Sequence, residues 1–249
     1  MKFGIKTNLK EERLADIKKL SKIYDFVETY FLPENVTPGR LSSIKTRWIM
    51  HSPHEPKTNM AKKVGSGIEL IKKSILYAVG VNAKKVIVHP GSSESSDCSI
   101  KNAIKNLREI NSFSRSYGIR MIIENLPFRD EFCPGFLFGS KPEEIKLILD
   151  EVNCGFVLDF SHAYHSSFSH NIDPEKMIKD FMELKPEMFH LYDTEINQEN
   201  DIHLQVGEGN LNFQFVLPLI KEKDVTLELE PFSVEVFTDA INRLKKISS

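Results

Sequence analysis

The residues of this chain that are suited to metal or acid–base chemistry stand at the ends of short apolar runs. Histidine, aspartate or glutamate follows six of these runs, at His51, His89, Glu124, Asp159, His190 and either Glu228 or Glu230. Carboxylates gathered at one place repel each other or lose hydration unless something binds them. Imidazoles and carboxylates together are ligands for a divalent metal ion, so the pattern predicts a metal site.

Such a site requires elements that bring all six ends together. Short β-like runs alternate with longer amphipathic, Lys/Glu-rich runs along the chain. The β-like runs are residues 2–8, 24–31, 47–52, 85–89, 120–125, 155–160, 188–192 and 225–230. The helical runs are residues 60–79, a stretch beginning at Ile100, and residues 141–152, 173–184, 213–221 and 233–247, with a weaker pattern over 33–43.

Eight βα units in about 250 residues predict a (β/α)8 TIM barrel, here as one domain over residues 1–249. The carboxyl ends of all eight strands would then meet at one mouth. A doubly wound open sheet is the alternative, although no GxGxxG follows the first strand to favour a dinucleotide-binding version.

Composition narrows the class of protein. The 249 residues are 41% hydrophobic, and 33 Lys+Arg against 35 Asp+Glu give a net charge of −2, which excludes a disordered chain and a uniformly basic binder. Cys98, Cys133 and Cys154 form no CxxC pair, which is typical of reduced thiols in a cytoplasmic protein. No signal peptide and no stretch of about 20 apolar residues is present, so we expect no membrane span.

Five segments carry a resemblance to a known family. They read VIVHPG, IIEN, LDFSHAY, FHLYD and DIHLQVGEGN, at residues 86–91, 122–125, 158–164, 189–193 and 201–210. With these motifs the chain resembles the endonuclease IV branch (AP endonuclease family 2) of the xylose isomerase-like TIM-barrel superfamily. The resemblance implies a metal-dependent hydrolase of DNA repair that cuts phosphodiesters at abasic sites.

The resemblance also implies nine ligands for up to three zinc ions. They are His51, His89 and Glu124 for the first ion, Glu124, Asp159, His190 and Glu230 for the second, and His162, Asp201 and His203 for the third. Glu124 would bridge two ions and act as the catalytic base. Glu230 is preferred to Glu228 because its spacing from the last helix fits the family better.

Contacts to DNA are the next expectation. The residues expected to touch a substrate are Arg40, Lys57, Phe128 and Arg129, with Arg47, Lys62, Lys63 and the aromatic segment 136–138 as further candidates. The chain looks shorter than typical members of the branch, so we expect some DNA-probing loops to be trimmed.

Two other functions remain open. A sugar or sugar-phosphate isomerase or epimerase of the same superfamily would hold one Mn²⁺ or Mg²⁺ on Glu124, Asp159, His190 and Glu230, with His162 contacting the sugar. It does not require His51, His89, Asp201 and His203 together, and their presence favours the nuclease. A regulatory barrel that has lost catalysis is the third possibility.

Overall fold

The computed structural model describes residues 1–41, 43–65, 67–131, 133, 135–196 and 202–247. Its strands are β1 (Lys2–Asn8), β2 (Phe26–Tyr30), β3 (Arg47–His51), β4 (Lys85–Val88), β5 (Arg120–Glu124), β6 (Gly155–Asp159), β7 (Met188–Leu191) and β8 (Asp224–Leu227). Its α-helices are α1 (Leu14–Leu20), α2 (Ile68–Gly80), α3 (Ile100–Ser116), α4 (Pro142–Val152), α5 (Phe160–Ser169), α6 (Pro174–Met182), α7 (Phe213–Leu219) and α8 (Val234–Ile247).

The strands form a closed parallel barrel in the order β1 to β8. Each strand pairs with its neighbours in sequence, and β8 pairs with β1 to close the sheet. The predicted (β/α)8 barrel is therefore confirmed, and the open doubly wound sheet is excluded. Closure brings every strand's carboxyl end to the same mouth, as the site requires.

The helices cover the barrel with one apolar face each. Along α3, Ala103, Ile104, Leu107 and Ile110 are buried, and the side chain of Ser99 caps the helix by accepting a hydrogen bond from Asn102 N. Both α4 and α6 begin with proline in the first turn, where the missing N–H costs no helical hydrogen bond.

Inside the barrel, side chains alternate with the period of two that extended strands impose. A lower layer is apolar and consists of Phe26, Ile49, Ile87, Ile122, Val157 and Met188. Two residues further along the same strands, the next layer toward the mouth is polar and consists of Glu28, His51, His89, Glu124, Asp159 and His190. The apolar layer is thus the floor on which the polar layer rests.

The observed elements differ from the predicted ones in four helical regions. The sequence pattern did not indicate α1 or α5, and α2 begins at Ile68 rather than near residue 60. The α5 pattern is hidden because Ser161, His162 and His165 lie on its buried face, where apolar residues are expected. The weak helical pattern over 33–43 corresponds to a 3₁₀ turn at Pro38–Leu41.

The sequence predicts no membrane-spanning segment and cysteines that are reduced thiols. In the described part of the chain, no helix is long and apolar enough to cross a membrane. Cys98, Cys133 and Cys154 are all free thiols, and the last two are buried.

The floor of the barrel generates a stability prediction at Gly4. A Cβ at this position would lie 2.2 Å from Cε2 of the Phe26 ring. We expect Gly4→Ala to lower the free energy of unfolding by about 1–3 kcal/mol through overpacking, measured by denaturant titration. Gly39→Ala is the control, because nothing lies within 4 Å of its added Cβ. An equal decrease in the free energy of unfolding of both variants would contradict close packing of Gly4 against Phe26.

Candidate metal centre

Glu124, the last residue of β5, lies between two groups of possible ligands. Its Oε2 is 3.1 Å from His51 Nε2 and 3.2 Å from His89 Nε2. Its Oε1 is 2.9 Å from His190 Nδ1. Each oxygen of the Glu124 carboxylate thus faces a different group of possible ligands.

The second group is formed by four strand ends. Glu124, Asp159, His190 and Glu228 each offer a ligand atom, and these atoms lie within 4.8 Å of one another. Glu228 Oε1 is 2.7 Å from His190 Nδ1. All four residues are buried.

The expected position of Glu230 in this group requires correction. The structure places Glu228 there, while Glu230 is exposed at the rim of the cavity. The reason lies in the register, because β8 ends at Leu227 and the Glu228 N–H still donates to Leu191 O at 3.3 Å. Glu228 therefore follows Thr226 by two residues and joins the polar layer, whereas Glu230 lies beyond it.

The outward nitrogens of these histidines have their own partners. His51 Nδ1 donates to Ser52 O at 2.9 Å, which leaves the lone pair on Nε2. His190 Nε2 lies 2.9 Å from Glu28 Oε2, which also accepts from Thr226 Oγ1 at 2.7 Å. His89 Nδ1 lies 3.1 Å from Glu55 Oε2. Such partners fix the orientation of ligand histidines in metal sites.

Two observations fit this donor set to divalent metal ions. Burial and the charge of Lys6 lower the pKa of His51, so its neutral Nε2 lone pair faces the Glu124 carboxylate, an arrangement that a cation relieves. In addition, Asp159 Oδ2 is buried without a hydrogen-bond partner. Neutral imidazoles with carboxylates suit Zn²⁺ or Mn²⁺.

The crowding of buried carboxylates shifts the pKa values of Asp159 and His190. Burial, with Glu228 and Glu124 nearby, raises the pKa of Asp159 to about 6. Burial opposes a charge on His190, but Glu228, Glu28 and Glu124 raise the pKa of His190 well above its usual value. The crowded carboxylates thus favour protonation of this site, and a metal ion would compete with these protons.

The third predicted ligand group is not assembled among the described residues. His162 Nδ1 bonds to Asn125 O at 2.8 Å, and His203 Nδ1 bonds to Glu228 O at 3.2 Å. Neither histidine belongs to a group of three possible ligands in the described ranges. Asp201, the expected third member, lies outside the described residues.

A cavity of about 870 Å³ opens at the mouth above Glu124, and His51, His89, His162 and His203 line it. Its lining carries six carboxylate residues, Glu55, Glu124, Asp130, Glu131, Glu228 and Glu230, against the two cations Lys6 and Arg13. Two divalent ions would offset this excess of negative charge.

The four residues first expected to contact a substrate lie outside this cavity, whereas Leu137 of the further candidate segment 136–138 lines it. None of Arg40, Lys57, Phe128 and Arg129 lines it. Arg40 pairs with Glu11 at 2.7 Å, and Arg129 lies over the Phe128 ring. Arg47 begins β3 and pairs with Asp224 at the start of β8, so it lies at the opposite end of the barrel from the mouth.

Sequence reasoning missed Lys6, Glu28, His54 and Glu55. Lys6 Nζ is 2.7 Å from Glu228 Oε1 and 3.8 Å from Glu28 Oε1. Lys6 and Glu28 lie within β1 and β2 at inward-facing positions, and this becomes visible only once the register of the two strands is known.

The chain is thus a closed (β/α)8 barrel with a cluster of histidines and carboxylates, possible metal ligands, at its carboxyl mouth. The chain belongs to the xylose isomerase-like TIM barrel family, whose sequence model matches residues 5–247.

Two relatives illustrate the range of the family. The uncharacterized protein MJ1614 of Methanocaldococcus jannaschii is 25% identical over 234 residues, which is 92% of this chain and 80% of that protein. A probable endonuclease 4 of Staphylococcus carnosus is 23% identical over 159 residues, which is 59% of this chain and 51% of that protein.

Solved structures share the fold at low identity. A D-tagatose 3-epimerase-like protein superposes with a TM-score of 0.76 and 22% identity, over 100% of both chains. A family 2 AP endonuclease from Brucella melitensis superposes with a TM-score of 0.71 and 15% identity, over 97% of this chain and 99% of that one. These likenesses show the fold.

The choice between the two glutamates after β8 gives a matched test. We expect Glu228→Gln to weaken binding of zinc or manganese at least about tenfold, because it replaces a charged donor in the buried group. Glu230→Gln changes the same chemistry at the exposed rim and should leave the affinity unchanged. Isothermal titration calorimetry of both variants measures the metal affinity. A larger loss of affinity in Glu230→Gln than in Glu228→Gln would refute the assignment of Glu228 as the ligand.

The protonation of the site predicts a pH dependence of metal binding. Burial opposes a charge on His89, yet Glu124 and Glu55 raise the pKa of His89 to about 9. A metal ion must therefore displace protons, so its affinity should increase with pH between about pH 6 and pH 9. Titrations in buffers of different ionisation enthalpy should reveal proton release, and an affinity independent of pH would contradict the charge states.

Proposed function

We propose that this protein is a divalent-metal-dependent phosphodiesterase that hydrolyses DNA at abasic sites. The observation that carries the proposal is the position of Glu124. Its two oxygens face two separate ligand groups, His51 with His89 on one side and His190 on the other. A carboxylate that spans two groups is the arrangement that a site for paired metal ions requires.

The donor set fits this proposal, with His51, His89 and Glu124 holding one ion and Glu124, Asp159, His190 and Glu228 holding another. Ions bound there supply a nucleophile at neutral pH and neutralise charge on a phosphate in the transition state. Zn²⁺ is the ion we propose first, because imidazole ligands dominate the first group.

The chain's own residues contribute orientation and charge. The Ser52 carbonyl fixes His51, and Glu28 fixes His190, so both rings present a defined nitrogen to the site. Glu124 is the base that this proposal assigns, since it is buried among the ligands and also lines the cavity. Lys6 Nζ lies 2.7 Å from Glu228 Oε1, so it places a positive charge beside the ligand carboxylates, and it lines the same cavity.

The third ion of the proposal would be held by His162, Asp201 and His203, and the structure shows only what surrounds the His203 ring. This ring stacks on Tyr192 with centroids 3.9 Å apart and an interplanar angle of 11°. We include this third ion, with Asp201, in the proposal as the resemblance to endonuclease IV implies.

A second function, a sugar isomerase or epimerase with one Mn²⁺ or Mg²⁺, is favoured by a different observation. The mouth is lined by acidic residues, and the four residues expected to contact DNA lie outside it. Glu124 and Glu228 also form a carboxylate pair around His190, and such a pair can move a proton between carbons.

Two measurements on purified protein separate the functions. Metal content near three per chain supports the phosphodiesterase, and content near one supports the isomerase. A labelled duplex with one abasic site is then assayed beside a panel of aldoses and ketoses. Turnover of a sugar with an intact duplex, with zinc or manganese supplied, would overturn the nuclease proposal.

The bridge itself gives a prediction for Glu124→Gln. Since the carboxylate serves both groups, we expect loss of metal and a fall in turnover on the order of 10²-fold or more. Glu131→Gln is the control, because this exposed glutamate lines the same cavity outside the described ligand groups. Full metal content and full turnover in Glu124→Gln would show that Glu124 is not the bridge.

A further inference from the structure

The loop after β3 brings two possible ligands that the proposed function does not use, His54 and Glu55, beside His89. His54, Glu55 and His89 each offer a ligand atom, and these atoms lie within 4.8 Å of one another. The His54 ring stacks on the His89 ring with centroids 4.7 Å apart and an interplanar angle of 23°. His89 thus belongs to this outer group and to the inner group of His51 and Glu124.

Charge and access support a role for the outer group. Glu55 is 9% exposed, and among the described residues no lysine or arginine lies within 4.0 Å of its carboxylate. Its ionic partner there is His89. His54 and Glu55 both line the cavity, so an ion in solution can reach them. Two imidazoles and one carboxylate are the protein ligands of many zinc sites with an open position.

The two nitrogens of His89 face different groups. Nδ1 is 3.1 Å from Glu55 Oε2, and Nε2 is 3.2 Å from Glu124 Oε2. A neutral imidazole has one lone pair, so it can bind an ion through one nitrogen while the other carries the proton. The proton on the second nitrogen then donates to the carboxylate that it faces.

We propose that His54, Glu55 and His89 form an outer seat for a divalent transition metal ion, alternative to the inner seat of His51, His89 and Glu124. An ion in the outer seat binds His89 Nδ1 while Nε2–H donates to Glu124. In the inner seat the roles of the two nitrogens are exchanged. The seats are therefore occupied one at a time.

The exposure of the two seats indicates that a metal ion binds first at the outer seat and then moves to the inner seat. His51 and Glu124 are each 1% exposed, whereas His54 is half-buried at the cavity wall. The outer seat captures an ion at the mouth, and a shift of the His89 proton from Nε2 to Nδ1 accompanies its transfer inward. The proposal rests on the metal-binding part of the proposed function and is independent of the reaction that follows.

The test disables the inner seat and asks whether an ion remains. His51→Ala removes one inner ligand and leaves the outer group intact. We expect this variant to keep its full number of zinc ions, with one of them bound more weakly. Adding Glu55→Gln should then lower the affinity for that weakly bound ion at least about tenfold. Adding Glu131→Gln instead is the matched control and should change nothing. Competition with a chromophoric chelator measures number and affinity.

A second readout reports the ligands directly. In the cobalt-loaded His51→Ala protein, His54→Gln should change the visible absorption of the ion if His54 is a ligand. Thermal melts followed by circular dichroism check that each variant is folded. An ion already lost in His51→Ala, or a cobalt spectrum unaffected by His54→Gln, would overturn the outer seat. Because metal binding is measured, a protein that binds its ions but leaves abasic DNA intact would refute the nuclease and not this proposal.

Discussion

The alternation of side chains inside a closed parallel barrel is the constraint on which the site depends. Because residues two apart share a face, the apolar floor of Phe26, Ile49, Ile87, Ile122, Val157 and Met188 fixes the layer above it. That layer contains the histidines and carboxylates, and two of its members, Asp159 and His190, pair directly between β6 and β7. A shift of one residue in any strand would turn a ligand outward into the helices.

Gathering charges in this layer has a cost that the fold must offset. Carboxylates buried without partners are destabilising by several kcal/mol each. Lys6 lies against Glu228 and Glu28, and His190 contacts Glu28, Glu124 and Glu228. These cations hold the layer together where divalent ions would otherwise do so. Asp159, whose Oδ2 has no hydrogen-bond partner, is the carboxylate that this arrangement leaves least satisfied.

Much of this architecture could be predicted from the sequence, because strand ends with His, Asp or Glu are visible as interruptions after apolar runs. His51, His89 and Glu124 are such residues. Lys6 and Glu28 lie within strands and carry no comparable signal unless their inward register is known. Glu228 could not be separated from Glu230, since both share a face and only the end of β8 at Leu227 distinguishes them. Contacts to a substrate depend on loop geometry, which local sequence does not encode.

The nuclease and isomerase proposals therefore differ in the loop residues that they use and not in the residues of the barrel. Glu124, Asp159, His190 and Glu228 are positioned by strands and suit either chemistry. His203 lies on a loop that Asp193 organises, since its carboxylate accepts hydrogen bonds from the backbone N–H groups of Thr194, Gly207 and Leu211. The loop after β3 likewise brings His54 and Glu55 beside His89. The strands thus position the ligands that both proposed functions share, and these two loops carry the ligands in which the proposals differ.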